Sequence, residues 1–194
     1  MKKILIAAFF YVHAAFATPI VITAVSDATT YSLGAIQTGN FLALGTTTQG
    51  ILKFSSFNAT PYNAISLVLN PYGLPALSDI GVYGFNSPSS VITGSEYNAG
   101  TYLGTLVLPS NLSYGQLLYF DVTSFVQSST GPYISFDLHG QGDILSSLEV
   151  NYGTPPELVA SVPDNPSVIS LFLGISFICV VQFKVRGFAK HGTA

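Results

Sequence analysis

The chain has 194 residues, of which 8% are charged, with one cysteine and no tryptophan. That length suits one domain of ordinary size plus targeting segments. Between Thr18 and Ser167, Lys53 is the sole base against nine acids, a net charge of −8; such a surface repels phosphate backbones and argues against a nucleic-acid partner. Cys179 is the only cysteine and stands near the C-terminus, so this span has no disulfide framework.

Residues 1–17 read MKKILIAAFFYVHAAFA. Lys2 and Lys3 form a positive start and Ile4–Val12 an apolar core. Ala15 and Ala17 supply the small residues expected before a cleavage point at Thr18. This predicts a secretory signal peptide.

Residues 18–160 read as β throughout. Gly, Asn, Ser and Pro clusters recur between short apolar and aromatic runs. The predicted strands are Gly50–Phe54, Ala64–Leu69, Gly81–Phe85, Tyr102–Leu108, Leu117–Val122, Tyr133–Leu138 and Leu158–Val162, with weaker signals at Thr29–Leu33, Phe41–Leu44 and Leu145–Val150. In YISFDL, Ile134, Phe136 and Leu138 share one face and Tyr133, Ser135 and Asp137 the other. That alternation predicts an antiparallel strand with one face in solvent. Only Val122–Gln127 hints at a helical period. Many short strands without crossover helices predict an all-β fold, an antiparallel β-sandwich of jelly-roll type.

Two groups of residues are candidates for chemistry. Asp137, His139, Asp143 and Glu149 fall close together in FDLHGQGDILSSLE, and on a strand Asp137 and His139 share a face. Converging oxygens and an imidazole could hold a metal, with Asp137, His139 and Asp143 as ligands of a structural calcium. The plainer reading is a solvated hairpin tip with polar groups pointing outward. The second group is the tyrosines, including Tyr62, Tyr83, Tyr102 and Tyr133. Tyr72, Tyr97, Tyr114 and Tyr152 stand in Gly/Asn-rich stretches that read as loops, where sugar-stacking residues often sit. A Ser-His-Asp arrangement would have to use His139, and no G-x-S-x-G elbow occurs. A non-catalytic protein is therefore expected, with no catalytic residues and no cofactor beyond that calcium. The alternatives are a hydrolase acting on polysaccharide or ester, and a purely structural surface protein with no specific ligand.

Within Asp121–Val159 the order DVTSFV, YISFDL, SSLE and PPELV resembles the C-terminal half of DNRLRE-type domains, which are jelly-roll modules of secreted bacterial proteins and similar to carbohydrate-binding modules. Leu148 stands where that family commonly has Arg before the Glu, and Ser55 where it has Asp in an early strand. The resemblance implies the fold more than any binding site; contact with a polymer such as an exopolysaccharide is the expected role.

Residues 161–194 form the last segment. Val162, Pro163 and Asp164 precede an uncharged run, Val168–Phe183, and then Lys184, Arg186 and Lys190. The 16 residues of the run would span roughly 24 Å as a helix. That is short of a hydrocarbon core, but Lys184 and Arg186 can snorkel and extend it. The cations would stay on the cytoplasmic side. A buried C-terminal core helix is the alternative. The order of VPD motif, apolar helix and basic cluster resembles the PEP-CTERM and VPDSG-CTERM sorting signals, although Asn165-Pro166 replaces the Ser-Gly of the latter. The resemblance implies an exosortase-like processing enzyme as partner. The expected address is export by the secretory pathway, membrane anchoring, and then the cell surface or extracellular matrix.

Overall fold

A computed structural model describes residues 18–39, 41–72, 79–109, 111–113, 115–140, 146–149 and 155–162. The described residues all belong to one compact unit. The signal residues Ala15 and Ala17, the motif residues Pro163 and Asp164, the run Val168–Phe183 with Lys184, Arg186 and Lys190, and Asp143 all lie outside the described residues. Among the described residues no helix is long and apolar enough to cross a membrane.

Strands rich in β-branched and aromatic residues, punctuated by turn formers, give two antiparallel sheets. The first contains β1 (Ile20–Thr23), β12 (Glu157–Ser161), β6 (Ala64–Tyr72), β11 (Ser146–Glu149) and β4 (Phe41–Leu44) in that order, with β9 (Leu118–Asp121) also on β6. The second runs β3 (Ile36–Gln37), β2 (Ser26–Tyr31), β5 (Thr48–Ser55), β10 (Tyr133–Gly140), β7 (Ile80–Ser87) and β8 (Thr101–Leu106). The chain repeatedly crosses from one sheet to the other, as between β4, β5, β6 and β7. It thereby brings strands distant in sequence side by side and forms an all-β, sandwich-like fold.

The core lies between the sheets. Leu52, Phe54, Ile134, Phe136 and Leu138 from one sheet meet Leu42, Leu44, Ile65, Leu67 and Leu158 from the other, all 0–1% exposed. Gly50 is required here: a Cβ on it would stand 2.8 Å from the Leu44 side chain. One short helix, α1 (Thr123–Ser128), packs Val126 and Phe125 against this core. Its start is organised by Asp121, whose carboxylate accepts from the Thr123 amide at 2.9 Å and the Thr123 hydroxyl at 2.6 Å. Those bonds hold the Asp121 carboxyl below its ordinary range.

The strands fall largely where the residue pattern places them. β1 and β3 are additional, and Tyr72 ends β6 instead of standing in a loop. The larger correction concerns β10. Alternation predicts a solvent face for Ser135 and Asp137, yet both are 0% exposed. The outer face of the second sheet has its own cover, supplied by residues 88–100 between β7 and β8.

Candidate functional site

Residues paired across antiparallel strands point to the same side of the sheet. The register therefore sets out three rows on the outer face of the second sheet. Ser26, Lys53, Ser135 and Phe85 form one; Ala28, Ile51, Asp137, Tyr83 and Tyr102 the next; Thr30, Gln49, His139, Gly81 and Thr105 the third. This face is polar at its centre.

Residues 88–100 cross it as a strap. The Ser26 hydroxyl donates to the Ser90 carbonyl at 2.6 Å. The Gln49 amide makes a two-bond clasp with Asn98: Nε2 donates to Asn98 Oδ1 at 2.6 Å, and Oε1 accepts from the Asn98 amide at 2.7 Å. Lys53 is 0% exposed and sits at the centre of the attachment. Its Nζ donates to Ser87 Oγ at 2.9 Å, Ser89 O at 3.0 Å, Val91 O at 2.8 Å and Glu96 Oε1 at 2.7 Å. Four acceptors around three N–H groups satisfy a buried ammonium, which would otherwise be prohibitively costly. The 3-10 turn Gly94–Glu96 aims Glu96, whose Oε2 accepts from the Thr93 amide at 3.0 Å. The strap returns to β8 through Asn98 (φ 61°) and Gly100 (φ 94°). Gly100 cannot carry a side chain there, because its Cβ would come within 2.7 Å of the Gly84 carbonyl oxygen.

Where the strap rejoins the sheet, Asp137 and His139 lie side by side, with His139 Nε2 at 2.9 Å from Asp137 Oδ2. The His139 ring stacks on Tyr83 with centroids 4.1 Å apart, and Tyr83 meets Tyr102 at 5.2 Å. Tyr102 is 52% exposed, and its hydroxyl is 2.6 Å from that of Thr105. The outcome is an aromatic row running from a half-buried imidazole to a solvent-facing phenol. The hairpin-tip reading is thus overturned for Asp137, which is buried and covered. Among the described residues no three His, Cys, Asp or Glu side chains converge on a metal position.

Of the tyrosines singled out in the sequence, Tyr114 and Tyr152 lie outside the described residues. Tyr97 belongs to the strap, and Tyr62 is a core residue in edge contact with Phe57. The strapped lysine went unrecognised in the sequence. Its one signal was its standing as the sole base of residues 18–167.

Burial raises the Asp137 carboxyl above its ordinary range, and this outweighs the opposing pull of His139 and of the Asn98 and Ala99 amides that face it. Asp27 is raised by burial as well. A carboxyl raised on folding binds its proton more tightly in the native state. Its stabilising effect is complete below the ordinary carboxylate pKa and is lost as pH rises through the folded value. In Asp137→Asn that dependence disappears. Urea unfolding at steps from pH 3.5 to 8 should therefore show wild type losing ground relative to the variant as pH rises. A gap that moves the other way would mean that hydrogen bonding to the carboxylate outweighs its burial.

Compared with known protein families and with characterised proteins, the chain matches no family model and no characterised sequence.

Proposed function

We propose that this is an exported bacterial protein of the cell surface or extracellular matrix, membrane-anchored or sorted by an exosortase-like enzyme. Its jelly-roll-like sandwich makes non-catalytic contact with a neutral polysaccharide. The observation that carries the binding part is the row His139, Tyr83 and Tyr102. Sugar rings stack on aromatic faces, and this row offers one half-exposed ring braced from behind by two others. The acid-rich composition favours a neutral polymer over an anionic one. The reading of the address rests on residues 1–17 and 161–194 of the sequence.

Affinity electrophoresis through gels cast with soluble neutral polysaccharides tests the binding. Retardation by at least one polymer is expected, lost in Tyr102→Ala, which should cost only about 1 kcal/mol of stability through the Tyr83 pair. No retardation by any polymer removes the reading. Mass spectrometry of the protein from its native cell tests the address: a mature chain ending near Val162–Asn165 supports sorting, and a retained Lys190 in the membrane fraction supports a plain anchor. The hydrolase reading rests on the Asp137–His139 pair, but among the described residues no hydroxyl is hydrogen-bonded to His139. Turnover of a polysaccharide or ester that vanishes in Asp137→Ala would reinstate it.

A further inference from the structure

The strap and the face beneath it are held together in an unusual way. No residue from 88 to 100 is fully buried, and Val91 is 66% exposed. The strap thus contributes little apolar burial of its own. Beneath it, Lys53, Ser135 and Asp137 are 0% exposed, Ser87 2% and Gln49 4%. Ala28, Ile51 and the partly buried Phe85 are the apolar members of the covered rows. The attachment is almost wholly polar: Ser26, Gln49 and Lys53 bond to strap carbonyls, to Asn98 and to Glu96. Water can replace every one of those bonds when the strap lifts. The sandwich core on the other side of the sheet shares none of them. The closed state also leaves hydrogen-bonding capacity unused, because Ser135 Oγ has no partner and Asp137 Oδ1 makes no bond of full geometry, although the Asn98 and Ala99 amides face that carboxylate. Buried polar atoms of that kind are uncommon in native proteins, and both would gain water partners if the strap lifted.

We infer that residues 88–100 form a lid that opens as one unit while the sandwich stays folded, lifting between Ser87 and the left-handed pair Asn98 and Gly100. Opening uncovers a hydrogen-bonding face made of Gln49, Lys53, Ser135 and Asp137, continuous with Tyr83. Segments with few buried apolar contacts open at lower free energy than the core they lie on. The inference does not depend on the polysaccharide reading.

Lys53 allows both events to be measured at one residue. It is the only lysine or arginine between Thr18 and Ser167. Its amine is sealed by the strap together with Ser87 at the end of β7, whereas its peptide bond lies in β5, paired on both edges with β2 and β10. Acylation of the amine by an acetyl succinimide ester reports lid opening; tryptic cleavage after Lys53 reports loss of the sheet. Each rate is compared with that of the urea-unfolded chain, using the full-length protein and peptide mass spectrometry. The amine should be at least about tenfold less protected than the peptide bond, and its labelling should be nearly insensitive to low urea, because a local opening exposes little surface. Phe136→Leu, a loss of volume in the core on the other side of the sheet, should speed cleavage several-fold and leave labelling unchanged, because the closed and lifted strap share that core. Equal protection of amine and peptide bond, or a Phe136→Leu effect equal on both, would show that the strap leaves only when the whole domain unfolds, and the inference would fail.

Discussion

Lys53→Met is expected to lower the unfolding free energy by about 3 kcal/mol, near the lower end of what breaking a buried ion pair costs. Methionine keeps most of the length and apolar volume of the lysine stem, so little of the loss comes from packing. The loss comes from the acceptors left behind: the Ser89 and Val91 carbonyls, the Ser87 hydroxyl and the Glu96 carboxylate, whose side chain is 15% exposed. Glu96 is close enough to the surface to recover some water, which keeps the loss from the upper end. A second limit is the lid itself. If leaving those groups unpaired costs more than lifting the strap, the variant will lift the strap, and the loss stops at the opening free energy. Equilibrium urea unfolding gives the total, and hydrogen exchange shows where it goes: amides of residues 88–100 lose nearly all their protection, while β5 and β10 lose only as much as the global unfolding free energy falls. Adding Glu96→Gln to Lys53→Met should then cost less than the sum of the two single changes, because they share a partner. A loss below about 1 kcal/mol in Lys53→Met would mean that desolvation of the ammonium had cancelled the pairing all along.

The same residue shows where the sequence stops being informative. GILKF reads as a strand, and it is one; nothing in that run tells that its lysine, at the fourth place, is buried. Alternation tells which side of a sheet a residue points to, not what lies on that side. For Ile134, Phe136 and Leu138 the inner side carries the apolar signal itself. For Ser135 and Asp137 the cover comes from residues 88–100, in a different part of the chain, and that segment carries no apolar pattern to announce itself because it binds through backbone carbonyls and amides. The short helix was legible only as a weak period at Val122–Gln127, since six residues give less than two turns. β3 is too short, at two residues, to stand out from its neighbours and owes its place to the tight turn at Gly34 (φ 80°), whereas β1 goes unread although it is as long as β4, which is read. The aromatic row was in view as a set of tyrosines, but which of them meet was not. Tyr83, Tyr102 and His139 are gathered by the β7–β10 and β7–β8 registers, which depend on the whole topology.

Phe136→Ala should produce the largest loss of any single change discussed for this domain, about 3–5 kcal/mol. Phe136 is 0% exposed and stands on β10 directly before Asp137, pointing to the opposite side of the sheet. Its ring meets Phe54 edge-on at 5.9 Å and Phe125 of α1 at 5.6 Å. The space left by an alanine cannot be filled from within the sheet, because β10 is held on both edges by β5 and β7. Nor can it be filled freely by α1, whose Phe125 already lies against Gly84 closely enough that a Cβ there would come within 2.8 Å. A cavity therefore persists, and the lost contacts are not replaced. The damage also cannot be confined. Lys53→Met has a strap to release; Phe136 joins the second sheet to the helix at the centre of the core, so its loss weakens every element that unfolds with the sandwich. For a domain of this size the melting temperature should fall by roughly 6–20 °C, taking 2–4 °C for each kcal/mol. Hydrogen exchange should rise across β5, β7 and β10 together, and tryptic cleavage after Lys53 should accelerate in step with it. Phe136→Leu, which keeps more of the volume, should recover part of the loss. A Phe136→Ala protein that melts within 2 °C of wild type would mean that the two sheets close over the gap, and that the core is looser than the 0% exposure of its central residues implies.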